Sequence, residues 1–219
     1  MANISENALK LIVDFEVGGG ETYYNKKAKF PIWPGGVSGI TIGIGVDLGH
    51  IKKTDFNTHI SDYYSENELQ RLEKCIGVTG KPGSKESESL INSLLESVKD
   101  CELTWESAIE IHENFTLPLY YERTKKVFKG LDSLPPDAQG AIVSLVFNRG
   151  TKLDGPKRVH MAKIAELTLK YEKEKNPEFI TQIAQTFLDM TEIWKGEKIY
   201  EGIKRRRIAE AKLVSPSIV

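Results

Sequence analysis

Ser38-Gly39-Ile40-Thr41-Ile42-Gly43-Ile44-Gly45-Val46-Asp47-Leu48-Gly49 is the stretch on which the fold turns. Apolar and small or polar residues alternate strictly from Ile40 to Leu48, which is the period of a strand. Two chain paths satisfy that pattern. A straight strand separates Thr41 from Asp47 by about 20 Å, and they share no site. A tight hairpin turning on Gly43–Gly45 pairs Ile42 with Val46 and Thr41 with Asp47. The hydroxyl and the carboxylate then stand on one face with Cβ atoms about 5 Å apart. The two internal glycines favour the turn. The plain alternative is a hairpin with an ordinary polar outer face.

Upstream, residues 5–17 are expected to form a helix with Ser5 as N-cap. Leu9, Ile12, Val13 and Glu16 follow i, i+3, i+4, i+7 and define one face. Gly18-Gly19-Gly20 ends it. A carboxylate on an apolar face is costly to ionise, so the pattern predicts a raised pKa for Glu16, as suits a general acid. The alternative is a frayed, solvated helix end. Nine of the 18 glycines lie between Gly18 and Gly49, which marks that stretch for sharp turns or close backbone approach. Thr22-Tyr23-Tyr24 suggests a short strand, and Phe30–Gly39 a loop.

From about residue 61 the pattern is helical. Ser65 to Glu68 is a capping box opening a helix to about Ile76. Residues 77–83 form a loop, and 84–99 an amphipathic helix. Thr104 caps a helix through His112, and Thr116 with Pro118 restarts one ending at Gly130. Pro135-Pro136-Asp137 opens the most apolar helix, through Phe147. Residues 157–173, 178–194 and 198–213 complete the set.

With 30 basic and 31 acidic residues in 219, the net charge is −1, which disfavours a polyanion-binding surface. The balance is uneven. Residues 62–115 hold 12 acidic and 5 basic side chains; residues 195–214 hold 7 basic and 3 acidic. Cys75 and Cys101 are read as reduced thiols rather than a disulfide framework. The N-terminal residues lack the pattern of a signal peptide, and no apolar run suffices for a membrane span. The histidines (His50, His59, His112, His160) show no metal-ligand spacing.

Phe15-Glu16 followed by Thr41-Ile42-Gly43-Ile44-Gly45 resembles the active-site lobe of phage-type lysozymes, the endolysin muramidases. The longer stretch from Ser38 to Gly49 is most similar to the pesticin-like branch. Gln139 to Gly150, ending Phe147-Asn148-Arg149-Gly150, resembles the family's central core helix, and Gly202 to Leu213 its C-terminal helix. The resemblance implies Glu16 as general acid and Thr41 as the threonine that positions the attacking water. The common pattern has an aspartate nine residues after the glutamate, where this chain has Asn25. The pesticin-like pattern has one six residues after the threonine, where Asp47 stands, so Asp47 takes the second carboxylate's place.

The implied fold is α+β and lysozyme-like: one catalytic domain over 1–219, with an active-site helix at 5–18, a small β lobe at 20–50 and a larger helical lobe at 61–219. Residues 52–115 are a surplus over compact family members. The resemblance also places an arginine, Arg206 or Arg207, beside the catalytic glutamate; the alternative is a solvated basic run with Arg206 paired to Glu210. Asn148 is either a polar strut to the hairpin lobe or a helix C-cap. Trp33 is either a sugar-stacking platform or a packed loop anchor. The implied activity is hydrolysis of the β-1,4 bond between N-acetylmuramic acid and N-acetylglucosamine by a monomer, without cofactor or metal. Lytic transglycosylation of the same bond and non-catalytic wall binding are the alternatives. The implied partner is peptidoglycan, not nucleic acid or membrane. A phage endolysin and an antibacterial toxin both fit a chain made in the cytoplasm that acts on the cell wall. A toxin would bring a cognate immunity protein.

Overall fold

The computed structural model describes residues 4–194, 196 and 198–218. In chain order the elements are α1 (Glu6–Glu16), α2 (Gly20–Lys27), β1 (Thr41–Ile42), β2 (Val46–Asp47), α3 (Lys53–His59), α4 (Glu66–Leu72) and α5 (Lys85–Val98). Then come α6 (Trp105–Ile111), α7 (Leu117–Val127), α8 (Pro136–Arg149), α9 (Val159–Glu174), α10 (Glu178–Asp189) and α11 (Glu201–Val214). Helices dominate, with one two-stranded antiparallel sheet, so the chain is α+β at this coarse level. It divides into two compact units. One joins residues 1–15 to 118–219; the other runs from Glu16 to Leu117.

The unit from Glu16 to Leu117 is built around the hairpin. β1 pairs with β2 in the register Thr41↔Asp47 and Ile42↔Val46, turning on Gly43–Gly45. Gly43 and Gly45 have φ of +55° and +77°, a region that costs little only for glycine. The apolar set Ile40, Ile42, Ile44, Val46 and Leu48 is buried, so the period-two pattern is the core face of the ladder. Ile32 bonds in both directions with Thr41 (2.9 and 2.8 Å), an isolated antiparallel bridge beside the two-stranded sheet.

Within residues 20–50 the hairpin forms, but the upstream strand expected from sequence does not. Thr22-Tyr23-Tyr24 lies inside α2, not in a strand. Local preference loses to tertiary anchoring. Tyr24 is fully buried, donates its hydroxyl to the Leu103 carbonyl at 2.9 Å and packs its ring 5.3 Å from that of Trp105. Glu21 in the first turn and Lys26 and Lys27 in the last also suit a helix dipole. Residues 52–115 are integral to this unit. The Ser65–Glu68 capping box opens α4, and Ser84 and Thr104 cap α5 and α6. No helix restarts at Thr116. A π-helical turn, His112–Thr116, carries α6 directly into α7. That wider turn immediately precedes Pro118, whose ring and missing N–H disturb a regular helix.

In the other unit α8 is the centre: Ala138 to Val146 are all buried. α11 packs on α8 and α10, and α10 on α9. α1 approaches α8 so closely that a Cβ on Gly140 would stand 2.1 Å from the Cβ of Ala8. Ser5 caps α1, accepting from the Ala8 N–H at 3.0 Å, and its hydroxyl donates to Asp137.

Candidate functional site

Thr41 and Asp47 are the pair that the hairpin assembles. The N–H and C=O of Thr41 are committed to Ile32, so Thr41 and Asp47 face each other as a non-hydrogen-bonded pair. In such pairs side chains approach most closely, with Cβ atoms about 5 Å apart on the same face. Both residues are half-buried.

The Asp47 carboxylate is held in a defined orientation. Its Oδ1 accepts the backbone N–H of Gly39 at 3.0 Å and that of Gly49 at 2.9 Å, capping the 3-10 turn Leu48–His50. Its Oδ2 lies 3.0 Å from Nδ1 of the more exposed His50. This orientation needs two backbones in near contact. A Cβ on Gly39 would stand 2.5 Å from the Val78 carbonyl oxygen and 2.6 Å from the Gly49 nitrogen. A Cβ on Gly49 would meet the same carbonyl at 2.7 Å. Gly77 and Gly80 donate to the carbonyls of Leu48 and Ser38 at 3.1 and 3.0 Å, so residues 77–80 clamp the open end of the hairpin. Trp33 braces the same loop through an Nε1–H bond to the Ser38 carbonyl at 3.0 Å. It is a half-buried loop anchor.

The closed end rests near His112, which is fully buried beside the backbone of Ile44 in the turn. Burial pushes its pKa down to about 4, opposed in part by the Ile44 backbone, so the ring is neutral near pH 7. The sequence spacing gave no sign of this role, because His112 and Ile44 are remote in the chain.

Glu16 is the last residue of α1. It is exposed, not desolvated on an apolar face. Ile12 and Val13 of the predicted face are buried and Leu9 is half-buried, so the apolar stripe ends one turn before Glu16.

Arg206 and Arg207 are not a solvated run. Both are buried with Glu210, whereas Ile208 on the same helix is exposed. Oε1 of Glu210 accepts from Ser144 Oγ (2.6 Å), Arg206 Nε (3.3 Å) and Arg207 Nη2 (2.9 Å). Arg206 also donates to the Ser144 carbonyl at 3.0 Å, and its guanidinium stands 5.6 Å from the ring centroid of Phe15. Two buried guanidinium groups share the Glu210 carboxylate. Burial pushes Arg207 down to about 10, still protonated at neutral pH, and pushes the Glu210 carboxyl up against the pull of both arginines. Nε and Nη1 of Arg207 have no hydrogen-bond partner among the described residues, a costly condition for a buried cation. Asn148 is not the C-cap of α8, which is Gly150 with φ +70°; it accepts from Arg207 Nη2 at 3.4 Å.

The candidates therefore form two sets, Thr41 with Asp47 and Arg206 and Arg207 with Asn148. Ser144 and Glu210 belong to the second set and were not singled out as site residues from sequence. The signals available were a serine inside the apolar run of α8 and a glutamate three and four residues after the arginines. No described helix is long and apolar enough to cross a membrane. A scan against models of known protein families finds no match to this chain, and a search of curated proteins finds none.

Proposed function

We propose that the chain is a lysozyme-like peptidoglycan hydrolase, a muramidase that lyses bacterial cells as a phage endolysin or antibacterial toxin. The observation that carries this is the hairpin register. It sets a threonine hydroxyl opposite a hydrogen-bonded, partly solvated carboxylate, the kind of group that serves as the ionised partner of a catalytic acid. Glu16, at a helix end followed by three glycines, is the proton donor. In this mechanism Glu16 protonates the glycosidic oxygen as the bond breaks. Thr41 and Asp47 hold the water that attacks the sugar carbon, and Asp47 takes up its proton. The buried arginines fit a supporting role. Arg206 covers Phe15, the residue before Glu16, and unsatisfied buried donors are characteristic of sites where stability yields to function.

The test is Glu16→Gln assayed by clearing of cell-wall suspensions. Loss of general acid catalysis predicts a fall of roughly 10²-fold or more. A folded variant that clears walls at the wild-type rate ends the assignment.

One observation favours a second chemistry. Both Asp47 oxygens are engaged, Oδ1 by two amides and Oδ2 by His50, as in a purely structural brace. Glu16 would then act alone, with the muramyl hydroxyl attacking in place of water, as in a lytic transglycosylase. Anhydromuramyl ends in the digest, together with an unimpaired Asp47→Asn variant, would select that reading. Ordinary reducing ends select hydrolysis.

A further inference from the structure

α7 and the C-terminal end of α8 enclose a groove of about 390 Å³, within the range of small-ligand pockets. Val127 and Val146 supply apolar lining, and Thr151 a hydroxyl. The Tyr120 and Phe147 rings stack with centroids 3.8 Å apart and planes 12° from parallel, and the Arg123 guanidinium stands 5.1 Å from the Tyr120 centroid. Lys126 is the second cation of the lining, which contains no carboxylate. The neighbouring Lys125 is tied to Asp132 at 2.7 Å, whereas Arg123 and Lys126 have no ion-pair partner among the described residues.

We propose that this groove binds the carboxylate-bearing stem peptide of peptidoglycan, an inference that rests on the peptidoglycan reading of the chain. The Phe147 ring and the Arg123 guanidinium both stand against the Tyr120 ring. That leaves little of the tyrosine ring for a sugar or a nucleobase to stack on. What the groove offers instead is two cations over an apolar lining. The stem peptide matches in both respects. Its glutamyl, diamino-acid and terminal alanyl residues carry carboxylates, and its alanines carry methyl groups. Arg123 is placed for a carboxylate because the ring beneath it limits its freedom, which lowers the entropy lost on binding.

The experiment titrates the full chain with synthetic L-alanyl-γ-D-glutamyl-meso-diaminopimelyl-D-alanine, followed by calorimetry and by NMR shifts of α7 and α8. Saturable binding is expected, weakened at least tenfold by Arg123→Gln with Lys126→Gln and by replacing the peptide carboxylates with carboxamides. Both side chains are exposed, so the variant keeps its fold, verified by near-ultraviolet circular dichroism. Absence of saturation at millimolar peptide, unchanged affinity in the double variant, or tighter binding of a single-stranded oligonucleotide overturns the proposal. The readout is binding, not turnover. A Glu16→Gln protein that still cleared walls would remove the catalytic assignment and leave the binding result in place.

Discussion

Acid should loosen the hairpin through His112. The ring is fully buried against Ile44, and its folded pKa is about 4 against an ordinary value of 6.5. Between those values the unfolded chain binds the proton that the folded chain refuses, so stability rises with pH across that window. The contribution is fully present above about pH 6.5 and is lost as the pH falls to about 4. The difference of 2.5 units corresponds to about 3 kcal/mol, a large fraction of a domain's stability. The perturbation is His112→Gln, which keeps a polar side chain without titration in this range. The assay is the urea midpoint of wild type and variant at half-unit steps from pH 4 to 8, with amide exchange of Ile42 and Val46 as a local probe of the ladder. Subtracting the variant's curve removes the acid sensitivity of the carboxylates and of His160, which the two proteins share. The expected difference is flat above pH 6.5 and steepens below it. Parallel curves over the whole range would refute the burial argument.

Two further substitutions test the supports of the candidate site. Gly39→Ala forces a methyl to 2.5 Å from the Val78 carbonyl oxygen, backbone that cannot swing aside, and should cost about 2 kcal/mol or more and release Asp47 from its amides. Thermal unfolding measures the cost, and a fall in wall-clearing rate at a temperature where the variant is folded measures the lost orientation. Glu210→Gln removes the carboxylate that buried Arg206 and Arg207 share and should destabilise by about 3–5 kcal/mol. A loss under 1 kcal/mol by urea unfolding would mean that the carboxylate is not their main partner.

The hairpin was legible because both of its signals are local. A strict alternation marks the buried face, and glycines within it mark the turn. Once the chain turns on those glycines, the period also sets which residues face each other, and Thr41 stands opposite Asp47. α2 was not legible, because Thr22 to Tyr24 prefer a strand locally and are held helical by Leu103 and Trp105, some 80 residues on. Glu16 shows the limit of periodicity at a helix end. Spacing assigns a face, but only the neighbouring elements determine how far along the helix that face is covered. α11 shows a second limit. Its arginines are inside and Ile208 is exposed, since a carboxylate on the same helix and a serine on α8 make room for charge where hydropathy expects none. Gly49 gave no reason for itself in the sequence; the close passage of Gly39 and Val78 supplies one.

The division of the chain bears on its synthesis. Ala8 packs against Gly140, yet all of the unit from Glu16 to Leu117 lies between them in sequence. At about 5–20 residues per second, α1 leaves the ribosome roughly 7–26 seconds before α8 is available to it. During that interval Ala8 lacks the α8 surface on which it packs, while the hairpin unit has every residue it needs by Leu117. The first helix made is thus among the last to be seated. A chaperone that shields short amphipathic segments would act on this protein at its N-terminus rather than at the hairpin.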